Sequence, residues 1–217
     1  MLLKELASDS SKKFVIAMDG PAASGKGSLS KALALYYNLD YCSSSVFYRK
    51  LASLILKLGN KEESFVIETS SDIEKINNYN PNDLYTIEVS NFTSVIAAIS
   101  EVRANMHFLQ RNLINNTRRI IMEGRDIGSV IAPDADFKIF ITATPEIRAK
   151  RRYEELKSSG VSCRYEDILA DLKIRDERDT SRAVSPLIRT VDAFLIDNSD
   201  LDIDSTLNFI KNYVEYH

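Results

Sequence analysis

The chain has no tryptophan, two cysteines and two histidines among its 217 residues, and most of the chemistry those residues carry is closed to it. Cys42 and Cys163 lie far apart in sequence, which argues against a disulfide framework and against a four-cysteine zinc site, so both are expected as thiols. His107 and the terminal His217 are too few for a histidine-built metal site or a nucleophile-histidine-acid triad. Long apolar runs are absent as well. Residues 1–12 carry Leu2, Leu3 and Leu6 but lack the apolar core, roughly 7 to 15 residues long, of a signal peptide, and no other stretch approaches a membrane span. A cytoplasmic protein with no membrane partner is predicted. There is no excess of positive charge either: at a net charge of −3 the chain has no general attraction for nucleic acid, so any phosphate must be bound by locally placed arginines.

What remains is an ordinary globular composition, 44% hydrophobic and 27% charged, which sets the chain apart from disordered sequences. Its length suits one substantial core with a small inserted or mobile segment and is short for two independent domains. A monomer is expected.

The most informative residues are 20–28: Gly20, Pro21, Ala22, Ala23, Ser24, Gly25, Lys26, Gly27 and Ser28. They follow the apolar run 14–18 and precede a helical pattern at Lys26–Tyr37, so a buried strand turns into a helix through a loop suited to phosphate. Gly20 and Gly25 can adopt backbone angles closed to other residues, and they let consecutive N–H groups approach a polyphosphate. The helix adds its positive N-terminal dipole at the same place. Lys26, expected to face solvent, would bring a mobile cation to the β and γ phosphates, and the Ser28 hydroxyl would hold Mg²⁺. The hydroxyl comes one residue later than in the common pattern, because Gly27 intervenes; this form is associated with kinases of small molecules and nucleotides. Tight packing without a ligand is the alternative, and the ordered strand, loop, lysine, hydroxyl and helix disfavour it.

Further apolar runs at 39–42, 119–122, 137–142 and 193–196 alternate with helical segments, which predicts an α/β fold with a parallel sheet covered on both faces. Ligands of such sheets bind beyond the carboxyl ends of the strands. Gly20, Ser43, Ser44, Gly124, Arg125 and Asp126 all fall there. Between 59 and 88 the pattern weakens, and 77–83 reads as turn chemistry. From Val95, residues Ile96, Ile99, Val102, Met106, Leu109 and Leu113 give a helical period, expected to pack on the sheet. The stripe Tyr165, Ile168, Leu169, Leu172 continues in phase to Arg175, Asp179 and Arg182. That ionic face is either a solvated helix end with an Arg175–Asp179 pair or a site for a second anion, where guanidinium forks bind phosphate. Arg148, Arg151 and Arg152 form another cluster before the possible hinge at 157–160, either a wet surface or a lid.

Four motifs occur in order: MDGPAASGKGS at 18–28, FYR at 47–49, EGRDIGSVIAPDA at 123–135 and IRDERDTSRAVSPL at 174–187. On these the chain resembles the bacterial cytidylate kinases, within the nucleoside monophosphate kinases, from about Phe14 to the C-terminus. The resemblance implies ATP-dependent phosphorylation of CMP and dCMP on a P-loop NTPase-type five-stranded parallel sheet flanked by helices. It also implies a small monophosphate-binding insertion at about 59–90 and a mobile lid at about 148–164. Carried over residue by residue, 20–28 would bind ATP. Ser44, Arg49, Ser94, Arg103, Arg125, Asp126, Arg175, Asp179 and Arg182 would surround the acceptor, with Lys26, Arg125 and Asp126 catalytic. Arg49, Arg103 and Arg125 suit its phosphate. Ser94, Arg103 and Asp126 are candidates for the cytosine edge, and Asp179 for the sugar hydroxyls. The chain departs from the family's usual pattern at Ser43 and Ser45, where Asp and Gly are usual, at Tyr85 in place of an arginine, and at Glu123 in place of Asp.

The acceptor oxygen of a monophosphate is already anionic, so in-line transfer needs positioning and charge neutralisation more than a strong base. Another acceptor, UMP, AMP or an alcohol with Asp126 as base, is the alternative within enzymes. A nucleotide switch is the alternative outside them, and the chain lacks an Asn-Lys-x-Asp motif. One local expectation follows from the site: Ser94 and Arg103, nine residues apart, would point about 180° from each other on one unbroken helix. A break between Ala98 and Arg103, with Ser100 as the new cap, is therefore predicted.

Overall fold

The computed structural model describes residues 3–71 and 81–217, which fall into two compact units: 1–42 with 117–217, and 43–116. Residues 77–80 of the expected turn lie outside the described residues. Among the described residues no helix is long and apolar enough to cross a membrane.

The first unit is built on a five-stranded parallel sheet of β1 (Phe14–Asp19), β2 (Asp40–Ser43), β3 (Arg119–Gly124), β4 (Phe137–Thr142) and β5 (Phe194–Asp197), in the order β2-β3-β1-β4-β5. All five runs anticipated from the sequence are strands, with ends shifted by one or two residues. The central β1 is buried along its whole length, as a strand covered on both faces must be. Its register places Asp19 opposite Gly124 of β3 and Phe140 of β4, so β1 and β3 end at one level and β4 runs two residues further. Helices α1 (Leu3–Ser8), α2 (Lys26–Tyr37), α7 (Pro145–Ser158), α8 (Tyr165–Ser181) and α9 (Ile203–Tyr216) belong to this unit. Leu29 and Leu33 of α2 and Ile210 and Val214 of α9 close the core over Phe14, Ile16 and Met18.

Several helix ends explain themselves. Thr144 caps α7 by accepting from the Ile147 N–H, and Asp202 caps α9 by accepting from Ser205 at 2.7 Å. The buried Arg119 donates to the carbonyls of Leu6, Ala7 and Asp9 at the end of α1, and of Tyr37 and Asn38 at the end of α2. One guanidinium thereby satisfies the terminal acceptors of two helices, which accounts for a charged residue opening β3.

The second unit consists of α3 (Ser45–Leu58), α4 (Glu63–Ser71), a 3₁₀ turn at Pro81–Tyr85, α5 (Ile87–Ile96) and α6 (Ser100–Asn116). It contains the segment expected as an insertion. Its own core joins Leu51 and Ile55 of α3, Val66 of α4, Ile96 of α5, and Val102 and Met106 of α6. The apolar face of α6 was expected on the sheet; its buried residues Val102, Met106 and Leu109 belong instead to this second core. At its end the face shifts by one residue, with Leu113 37% exposed and Ile114 buried. The predicted helix break is present but earlier, at residues 97–99. Ser100 is the first helical residue, and the ladder begins when Arg103 N–H donates to the Ile99 carbonyl, so Ile99 rather than Ser100 occupies the capping position.

Candidate active site

In the first unit the loop between β1 and α2 has the backbone that its glycines were expected to allow. Gly20 sits at φ 152°, and a Cβ there would fall 2.0 Å from the Ile141 carbonyl oxygen, so no other residue fits. Gly25 takes φ 89°, and Ala23, without a glycine's freedom, is also held at φ 58°. The loop is held from outside its own segment: Asn198 Nδ2 donates to the Ser24 carbonyl at 3.0 Å, and Arg148 Nη1 to the Ala22 carbonyl at 3.0 Å.

Lys26 is buried rather than solvent-facing, a correction to the sequence reading. Its Nζ folds back on the Pro21 carbonyl at 2.7 Å and the Ser24 hydroxyl at 3.4 Å. Burial, reinforced by the nearby charges of Arg125 and Arg175, pulls its pKa down to about 7. An incoming anion would reverse that depression. Ser28 is exposed in the first turn of α2. Among the described residues no group of three or more His, Cys, Asp or Glu could hold a metal ion. A lone hydroxyl still fits Mg²⁺, which takes most of its oxygens from phosphate and water.

Beyond β3 the chain makes a wide turn at Ile127–Ile131: the N–H groups of Val130 and Ile131 both donate to the Asp126 carbonyl, and that of Ala132 to Ile127. Arg125, two residues before it, donates from Nε to Oδ2 of Asp179 at 2.8 Å. Burial alone would lower the Arg125 pKa, but the charge and hydrogen bond of Asp179, with the charges of Glu123 and Asp176, together outweigh it and hold the guanidinium above its usual value. Burial likewise works to raise Asp179, and Arg125, Arg175 and Arg182 together keep it below the usual carboxylate range. Asp126 is itself buried. Thus Arg125, Asp126, Arg175, Asp179 and Arg182 are gathered in one unit with the phosphate loop.

The helical phase deduced for α8 is correct as far as Asp179. Ile168 and Leu172 are buried and pack with Ala22 and Ala149, while Arg175 and Asp179 are half-buried. Arg182 departs from it. The helix stops at Ser181, and Arg182 turns extended at the cap, where Nε donates to the Ser185 carbonyl at 2.6 Å and Nη1 approaches Asp179 Oδ1 at 3.5 Å. Of the basic cluster on α7, Arg148 is neither wet surface nor loose: it is 2% exposed, with both η nitrogens on Asp176 and Nε on the Ala143 carbonyl. Arg151 donates to Asn198 Oδ1 and to the carbonyls of Asn198 and Leu201; Arg152 pairs with Glu155 on the surface.

The second unit carries the other four candidates. Ser44 is buried just before α3, its carbonyl accepting from Gln110 Nε2 at 3.2 Å, and Ser43 and Ser45 share a hydrogen bond at 2.9 Å. Arg49 donates to the Leu84 carbonyl at 2.7 Å and the Ser90 hydroxyl at 2.9 Å, with its guanidinium 5.2 Å from the centre of the Tyr85 ring. The departure at Tyr85 thus supplies an aromatic face to a guanidinium. Arg103 is buried. It reaches back over the helix break to the Ala97 carbonyl at 3.1 Å and lies 3.3 Å from His107 Nε2. Ser94, on the preceding helix, donates to the Asn91 carbonyl. Asp19, Asn198 and Asp176 were missed from the sequence, and Arg148 was read only as part of a basic cluster, since each acts on a partner remote in the chain.

A family model described as cytidylate kinase matches residues 16–216. A cytidylate kinase of Rickettsia felis is 45% identical over 215 residues, covering 98% of this chain and 97% of its own. One from Rickettsia rickettsii is 44% identical over 218 residues, covering 98% of each. Among solved structures, an uncharacterised protein from Eubacterium ventriosum aligns over 94% of this chain and 100% of its own, with a TM-score of 0.57 at 16% identity. Shikimate kinase from Bacteroides thetaiotaomicron aligns over 93% and 98%, with a TM-score of 0.52 at 12% identity, a likeness of fold alone. With its parallel sheet, its glycine loop and a match spanning nearly the whole chain, the protein belongs to the cytidylate kinase family.

Proposed function

We propose that the loop at 20–28 holds ATP and that the turn carrying Arg125 and Asp126, with Arg175, Asp179 and Arg182, takes the acceptor in the phosphorylation of CMP. Phosphoryl transfer from ATP to CMP is the activity of this family. The reading of the turn is carried by one observation: three guanidinium groups surround the half-buried Asp179, two of them close enough to Lys26 to depress its pKa. Such a concentration of positive charge is suited to two phosphate groups brought together.

On this reading Lys26 leaves the Pro21 carbonyl and the Ser24 hydroxyl for the β and γ phosphates, and Arg125 neutralises charge as the acceptor oxygen attacks. Arg49 and Arg103 serve the acceptor phosphate, Ser94, Arg103 and Asp126 its base, Asp179 its sugar, and Ser44 completes the set. Mg²⁺, held through the Ser28 hydroxyl, would supply further charge neutralisation on the transferring phosphates. We also assign dCMP as a second acceptor, 148–164 as a lid, a monomeric state and a cytoplasmic location. The test is product formation from ATP with CMP, dCMP, UMP and AMP in turn. Rapid turnover of CMP and dCMP is expected; equal use of UMP or AMP, or ATP hydrolysis without any acceptor, overturns the reading.

A further inference from the structure

We propose that Asp19 is a positioning residue for the acceptor side of the reaction, its carboxylate clamping the turn that carries Arg125 and Asp126 to the end of β1. The inference rests on the assignment of that turn to the acceptor.

Asp19 is the last residue of β1 and is paired in register with Gly124, the last residue of β3. It therefore stands where the chain enters both the phosphate loop, at Gly20, and the acceptor turn, at Arg125. Its carboxylate is 6% exposed, and both oxygens are engaged: Oδ1 accepts from the Ile127 N–H at 2.8 Å and Oδ2 from the Gly128 N–H at 2.7 Å. These are among the first N–H groups of the Ile127–Ile131 turn, the donors that a helical turn leaves without internal acceptors.

Who satisfies those donors matters to the chemistry. Asp126 occupies the capping position of this turn, where an aspartate ordinarily turns its own carboxylate onto the N–H groups that follow. Here it makes no such bond, and a carboxylate from another strand holds the first two of them. Asp19 thus takes over the capping of this turn from the end of β1. A single neutral acceptor could not do this, since two N–H groups diverge onto two oxygens.

The approach also depends on Gly128. A Cβ there would lie 3.3 Å from Asp19 Oδ2 and 3.2 Å from Lys138 Cδ, tight enough to push the contact apart. Asp19 and Gly128 are therefore two halves of one clamp.

The experiment compares Asp19→Asn and Gly128→Ala with the parent, measuring kcat and KM for CMP and for ATP at a temperature where melting shows each variant folded. Loss of CMP use on the order of 10- to 100-fold in kcat/KM, with KM for ATP changed less than about twofold, is expected for Asp19→Asn. Gly128→Ala should show the same selectivity to a smaller degree, and it decides the matter if Asp19→Asn does not fold. A purely structural clamp would lower melting temperature and leave both KM values alone; that result, or equal losses for the two substrates, overturns the proposal. Arg125→Ala in the same assay separates the two readings. If it raises the CMP KM while neither clamp variant does, the clamp fails and the acceptor assignment stands; if it leaves CMP use unchanged, both fail.

Discussion

Asn198 ties the phosphate loop to the chain beyond β5, donating from Nδ2 to the Ser24 carbonyl at 3.0 Å while its Oδ1 accepts from Arg151 at 3.0 Å. Exchange to aspartate keeps the acceptor and removes the donor, setting an anionic oxygen against a carbonyl. An unmade buried hydrogen bond costs about 1 to 3 kcal/mol. Asn198→Asp should therefore raise KM for ATP about tenfold or more and leave KM for CMP nearly unchanged, as steady-state kinetics with each substrate varied would show.

Lys26→Ala should lose about 100- to 1,000-fold in kcat, the usual effect of removing a preorganised charge from a transition state. The folded structure should survive. Lys26 is buried with a depressed pKa, so its removal deletes a charge that burial already disfavours. Thermal melting checks the second half: a variant with parent-like activity, or one that melts far below the parent, runs against this expectation.

Asp179 holds Arg125 at 2.8 Å and lies 3.5 Å from Arg182, so both of its oxygens face guanidinium groups. Asp179→Ala and Arg182→Ala should each raise KM for CMP by an order of magnitude or more. ATP affinity should change little. An exposed pair serving as a surface salt bridge would contribute less than about 1 kcal/mol and leave kinetics alone. Equal effects on ATP and CMP would remove both residues from the acceptor site.

Burial pushes the Asp19 pKa up from 3.8 to about 6, with Asp126 adding to the rise and the two backbone N–H groups and Lys26 opposing it. Between those values the folded protein holds a proton that the unfolded chain has released. Stability should therefore fall as pH rises from about 4 to 6, by on the order of 3 kcal/mol at most from this group. In Asp19→Asn that contribution vanishes, and denaturant unfolding across this range should show a flatter curve than the parent.

Much of this was readable locally. The strand, glycine loop and helix from Phe14 to Tyr37 are contiguous, so hydrophobic period, Gly25 and Lys26 announce them together. The period of α8 likewise aimed Arg175 and Asp179 inward, because a helix repeats its direction every 3.6 residues. Such rules end with the element. Arg182 lies one residue beyond the helix, so its direction came from the Ser185 carbonyl and not from phase.

Tertiary structure alone decided the residues whose partners are distant: Asn198 with Ser24, 174 positions apart, and Asp19 with Ile127, 108 apart. It also turned Lys26 inward and committed Arg148 to Asp176 and the Ala22 carbonyl. No periodicity reports such pairs, since a side chain's hydrogen-bond partner is chosen by which strands the sheet order makes adjacent. The sequence by itself determined the strands, the phosphate loop and the residue types of the site. Which of its charges are buried, and what each one holds, was determined only when β1 came to lie between β3 and β4.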